Sequence, residues 1–142
     1  MKPVDQRYFA PPKGDCWAAC VASILEQTWE ELAGVRHAYA AEAVRWNESG
    51  QPTGEFDWNL IYRALHLIGV HPAWVVVHPP WEQSFPKVRG YSIISGKSPR
   101  GDWLHSVVAL DGVTVHDPHP SRLGLDGPVV DCCVLVSVEA TP

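Results

Sequence analysis

The sequence lacks a basic run, an apolar segment long enough to cross a bilayer, and any low-complexity tract. Each absence excludes a class of function. Lys and Arg number 11 against 16 Asp and Glu, a formal charge of −5, so no nucleic-acid partner held through its phosphates is expected. Residues Met1-Lys2-Pro3-Val4-Asp5-Gln6 carry no apolar signal segment, and nothing later reaches the length of a membrane span. The expectation is a cytoplasmic protein with no membrane partner. No repeat or linker divides the 142 residues, which suit a single domain spanning 1–142. With 46% hydrophobic and 19% charged residues, the balance is that of a globular chain rather than a disordered one.

Cysteine is sparse as well, at four. In a reducing compartment these are free thiols and not a disulfide framework. Cys132 and Cys133 are adjacent and would face opposite sides of a strand. Chelating spacing is missing too. Cys16 and Cys20 lie on one predicted helix, and the compact His116-Asp117-Pro118-His119 is interrupted by proline. A ligand set drawn from Cys16, Cys20, His105, His116 and His119 therefore has poor metal grammar, and no metal or cofactor is expected.

Tryptophan and proline are abundant, at seven and thirteen. The Trp density suggests a core filled with rings or a ring-lined groove. The prolines mark stiff loops. The spacing predicts a helix from Cys16 to about Gln27, with an apolar composition suited to burial. Thr28-Trp29-Glu30-Glu31 fits a capping box, predicting a short helix that Gly34 ends. A weaker helix is predicted from His37 to Trp46, before the breaker run 47–52. Asp57 is a candidate cap for a helix from Trp58 to about Leu67, with Leu60, Ile61, Ala64, Leu65 and Ile68 on its buried face and Gly69 at its end. Beyond His71 the pattern changes to strands: Ala73–His78, Tyr91–Ser95, Leu104–Leu110, Val113–His116 and Val129–Val138. Helices first and strands after predict an α+β fold with an antiparallel sheet.

The predicted first helix opens on a cysteine. Unpaired N–H groups give a helix N-terminus partial positive charge, a field that favours thiolate over thiol. Cys16 is thus a candidate nucleophile. Cys20, Cys132 and Cys133 fall where burial makes a thiol inert. A thiolate nucleophile needs an imidazole, and the imidazole needs a group to orient it. His105 begins an apolar strand, and Asp117 follows the partner strand twelve residues later. Two hairpin registers are open. A type I turn at Leu110-Asp111 with a bulge at Gly112 pairs Ala109 with Val113, Val107 with Val115 and His105 with Asp117. A two-residue type I′ turn at Asp111-Gly112 slips the register by one, placing His116 on the face of His105 and turning Asp117 away. The bulged form gathers Val107, Ala109, Val113 and Val115 on one face and is the favoured expectation. Trp17 beside the nucleophile, and Trp103 in the loop before His105, are assigned to substrate binding.

Gly14-Asp15-Cys16-Trp17-Ala18 resembles the nucleophile segment of papain-like cysteine peptidases, in which a Cys-Trp pair opens a long buried helix. His105-Ser106-Val107-Val108 and His116-Asp117-Pro118 resemble the His and Asp-Pro segments of the bacteriocin-processing (double-glycine) branch. The chain is also similar, nearly end to end, to small proteins carried by bacteria and their phages. The resemblance implies a papain-like α+β domain with Cys16 as nucleophile, His105 as general base and Asp117 as orienting acid. It further implies a glutamine upstream of the cysteine as oxyanion donor. Gln6 is the only glutamine before Cys16, ten residues away where the family spacing is shorter. The Cys16 N–H would be the second donor. The implied activity is hydrolysis of a peptide or isopeptide bond in a peptide or protein substrate through an acyl-thioester. A different amide chemistry on the same site (deamidase, transglutaminase-like enzyme or cell-wall amidase) and a catalytically silent binding module are the alternatives.

Overall fold

The structure, a computed structural model, describes residues 1–9, 14–39, 58–75 and 88–139. Among these, three helices precede five strands. The helices are α1 (Cys16–Leu25), α2 (residues 33–39) and α3 (Asn59–His66), and the strands are β1 (Val70–Val75), β2 (Tyr91–Lys97), β3 (Leu104–Leu110), β4 (Val113–His116) and β5 (Val129–Ser137). The strands form one antiparallel sheet in the order β1-β5-β2-β3-β4. The α+β class and the helix-then-sheet order are as the sequence predicts. No helix among the described residues is long and apolar enough to cross a membrane.

α1 is apolar on all sides, and Trp17 through Ser23 are all buried. It ends sooner than expected, because Glu26 adopts a left-handed conformation (φ 57°) and returns its N–H to Ala22 and Ser23. The capping box forms as predicted. Thr28 N–H donates to the Glu31 carboxylate at 2.7 Å, and Glu31 N–H donates to Thr28 Oγ1 at 3.3 Å. Gly34 does not end the helix that follows. It lies inside α2 on the exposed side, where nothing approaches within 4 Å of a would-be Cβ. In α3 only Ile61 and Leu65 are fully buried. Ala64 packs at the edge of the core, whereas Leu60 (45%) and Ile68 (40%) are exposed, so the buried stripe is narrower than the periodicity suggests. Gly69 (φ 73°) turns the chain out of that helix, as expected. β1 begins three residues earlier than predicted and takes in Pro72, which an edge strand tolerates. The predicted helix beyond residue 39, the breaker at 47–52, the Asp57 cap, Trp46, Trp81 and the predicted strand end at His78 lie outside the described residues.

The sheet separates two apolar clusters. Ile93, Val108 and Cys133 pack with Trp17, Cys20 and Val21 of α1 and with Ile61 and Leu65 of α3. Their chain neighbours Ile94, Val107 and Cys132 pack on the other side with Ala109, Leu125 and Val129. Cys132 and Cys133 thus divide between the two faces, as strand alternation requires. Trp17 sits at the centre of an aromatic group, with the Trp58 ring edge-on at 4.9 Å and Tyr39 and Trp74 stacked at 6.0 and 6.1 Å.

The β3–β4 hairpin corrects the favoured register. Leu110 pairs with Val113 around Asp111 (φ 51°) and Gly112 (φ 79°), the backbone of a type I′ turn. The register then shifts: Ala109 pairs with Thr114 but Val108 pairs with His116, leaving Val115 as a bulge. Sorting apolar residues onto one face had no force here. β3 is a central strand buried on both faces, and β4 is an edge strand whose Val113 and Val115 are exposed at 63% and 45%.

Gly96 lies opposite His105 where the β2–β5 register shifts, and a Cβ there would sit 2.9 Å from the Pro128 carbonyl and 3.3 Å from Leu125. Gly96→Ala is expected to lower stability by about 1–3 kcal/mol in urea melts. A melt unchanged from wild type would show that the loop around Pro128 gives way freely.

Candidate active site

Cys16 is the first residue of α1 and the only one of the four cysteines that is not buried. Asp15 sets its position. The Asp15 side chain does not cap the helix. Its carboxylate instead accepts hydrogen bonds from the N–H groups of Arg7 (3.1 Å) and Tyr8 (3.1 Å). Burial pushes this carboxyl above its ordinary range, against the pull of those N–H groups. The first-turn N–H groups of the helix, that of Cys16 included, have no intrahelical acceptor.

His105 and Asp117 meet. His105 Nε2 donates to Asp117 Oδ1 at 2.7 Å, with both side chains buried. The β4 bulge sets His116 opposite Val108, and β4 ends there, so Asp117 stands in the loop that follows, where it meets His105. The Cys16 thiol also acts on the His105 ring, contributing hydrogen bonding and charge that help to raise its pKa. With Nε2 on the carboxylate, Nδ1 is the nitrogen left for sulfur. Burial acts to lower the His105 pKa, but hydrogen bonds to Asp117 and Cys16 and their negative charges outweigh it and raise the value. The charged ring is thus more stable here than in a free imidazole.

Asp117 is held on several sides. Its Oδ1 also accepts the His119 N–H, and its Oδ2 accepts the Gly124 N–H, each at 2.8 Å. Arg100 Nη1 stands 3.7 Å from Oδ2, and Arg122 donates to the Asp117 backbone carbonyl. Burial opposes the charge, yet the bonds from His105, His119 and Gly124 bring the pKa down to about 2. Cys20 is fully buried and its thiol is pushed up, first by burial and then by Cys16 and Asp117. Burial likewise raises Cys132 and Cys133.

Gln6 is brought in by the N-terminal strip. Its N–H donates to the Pro118 carbonyl at 3.0 Å, and Asp15 holds the two residues that follow it. Gln6 is 5% exposed; its amide Nε2 donates to the Tyr8 carbonyl at 2.6 Å, and Oε1 has no partner among the described residues. The ten-residue gap to Cys16 is thus spanned by the Asp15 bonds, while residues 10–13, with Pro11 and Pro12, lie outside the described residues.

Trp17, assigned to substrate binding, is 2% exposed within the aromatic core, so its ring has no open surface to offer a substrate. Trp103 is half-buried and its ring lies against Gly101, where an added Cβ would collide with it. His116 is buried and donates through Nε2 to the Val4 carbonyl at 3.0 Å. No group of three or more His, Cys, Asp or Glu among the described residues is arranged to hold a metal ion. The roles of Asp15, Arg100, His119 and Arg122 were missed. Only the closeness of His119 to Asp117 in sequence hinted at any of them. No family model matches the chain, and neither a curated protein nor a solved structure matches it.

Two outcomes follow from these environments. Cys16 should be alkylated by iodoacetamide well before Cys20, Cys132 or Cys133, as read by peptide mapping, and faster labelling of any of those three would count against the site. Asp117 has a folded pKa below its ordinary 3.8, so the unfolded chain binds its proton first as pH falls. Its contribution to stability is present above that value and is lost as pH drops from 3.8 toward about 2. The stability difference between wild type and Asp117→Asn should shrink over this interval, and a difference that stays constant would show that the carboxylate is not held ionised.

Proposed function

We propose that this chain is a papain-like cysteine hydrolase that cleaves a peptide or isopeptide bond in a cytoplasmic peptide or protein substrate. The observation that carries this is the buried His105–Asp117 pair, with Asp117 on Nε2 at 2.7 Å, and the Cys16 thiol at the start of a buried helix near enough to help raise the pKa of that imidazole. The three groups come from chain segments about ninety residues apart and have the roles that thiol-dependent acyl transfer requires.

The proposed cycle uses these groups in turn. The Cys16 thiolate attacks the substrate carbonyl carbon, and its electron pair forms the C–S bond. The carbonyl oxygen takes up negative charge, facing the Cys16 N–H and, in this proposal, a Gln6 amide hydrogen. The His105 imidazolium then gives its proton to the departing amine as the C–N bond breaks, leaving an acyl-thioester. Neutral His105 next takes a proton from water, whose oxygen attacks the thioester. Breaking the C–S bond releases the acid and restores the thiolate–imidazolium pair. Throughout, Asp117 stabilises the charged ring and fixes which nitrogen faces sulfur.

The intact arrangement supports catalysis over a silent binding module, since a binding surface does not need a charged carboxylate aligned on a buried imidazole. With a peptide library as substrate, Cys16→Ala should lower turnover by more than about a thousandfold without changing the melting curve, because Ala fits a helix start. Asp117→Asn should lower turnover less, since an amide can still orient the ring. Near wild-type hydrolysis by Cys16→Ala would overturn the mechanism.

A further inference from the structure

A second histidine packs against the His105 ring. The His119 ring stands edge-on to the His105 ring, with centroids 6.3 Å apart and planes at 87°. Phe9 packs edge-on against the His119 ring at 5.3 Å. The His119 backbone N–H shares Asp117 Oδ1 with His105 Nε2. The ring is fixed at its far edge. Ser121 N–H donates to His119 Nδ1 at 3.0 Å, Ser121 Oγ lies 2.8 Å from the same nitrogen, and Arg100 Nη1 donates to Ser121 Oγ at 2.9 Å. Because Nδ1 accepts the Ser121 N–H, it carries no proton, and Ser121 Oγ–H is left to donate to it. The network therefore selects the neutral ring. Burial, followed by the positive charge of Arg100, acts in the same direction and holds His119 below its ordinary pKa.

We propose that His119 is a positioning residue for the hydrolase suggested above, a neutral ring that buttresses His105 and keeps water from its bond to Asp117. It acts through His105 and need not touch substrate. A hydrogen bond to a carboxylate gains strength where water is excluded and loses it where water competes. Among the described residues the His119 ring packs edge-on to His105, and Phe9 packs in turn on His119. The orientation of His105, and with it the aim of Nδ1 at sulfur, depends on that cover.

The role rests on the hydrolase proposal for its meaning but can be tested without a substrate. The His105 Nε2 proton in a bond to an ionised carboxylate gives a low-field proton NMR signal, whose exchange with solvent reports cover. His119→Ala removes the ring yet keeps the backbone N–H on Asp117. It is expected to broaden that signal beyond detection and to slow Cys16 alkylation by about tenfold, within the cost of a misplaced catalytic group. His119→Phe restores an edge-on ring without the Nδ1 acceptor, and should recover both the signal and most of the alkylation rate. Melting curves of both variants verify folding. The proposal is overturned if His119→Ala keeps a sharp signal and the wild-type alkylation rate, or if His119→Phe is as impaired as His119→Ala. If the NMR and alkylation results follow the pattern while no peptide is cleaved, the hydrolase proposal fails and the positioning role stands.

Discussion

The carboxylate of Asp117 is the constraint on which the rest of the site depends. A buried carboxylate is tolerated only when donors surround it, and here the donors come from three places: the His105 ring on β3 and the N–H groups of His119 and Gly124 in the loop that follows β4. Arg100 and Arg122 add positive charge beside it. The carboxylate therefore folds its own loop around itself and orients the imidazole in the same act. The ring's second nitrogen is left for the thiol because the first is committed.

The other half of the site is held by an exchange between the N-terminal strip and the rest of the chain. Val4 N–H donates to Ser23 Oγ on α1, while the Val4 carbonyl accepts His116 Nε2 from β4. The Gln6 N–H meets the Pro118 carbonyl, Asp5 pairs with Arg122 at 2.7 Å, and Asp15 takes the next two N–H groups. The strip thus laces the helix that carries Cys16 to the loop that carries Asp117. Helix packing alone would bring the two within range, whereas these directional bonds fix their spacing.

Much of this was legible in the sequence where a local rule decides the outcome. An apolar segment behind Gly14-Asp15 marks α1 and puts Cys16 at its start, Thr28 and Glu31 announce their reciprocal bonds, and alternation separates Cys132 from Cys133. Long-range arrangements hid the remainder. The hairpin register was misjudged because nothing local reveals that β3 is buried on both faces. Asp15 carries no local sign of the N–H groups it binds, seven and eight residues upstream. The return of Arg7 and Tyr8 to the start of α1 is made by the Asp15 carboxylate rather than by any turn motif. Arg100, twenty-one residues from Ser121, has no signature at all.

The bulge at Val115 gives the β3–β4 hairpin a counting rule. A strand presents successive residues to alternate sides, so the number of residues between Val108 and His116 has a parity as well as a length. The type I′ turn alone would set Val115 opposite Val108, and the one unpaired residue puts His116 there instead, on the face that α1 covers and bonded to the Val4 carbonyl. Lengthening or shortening the hairpin by two residues preserves that parity, whereas a change of one reverses it. Related chains that keep this site are thus free to vary the length of the hairpin in even steps but are barred from odd ones unless a second bulge compensates.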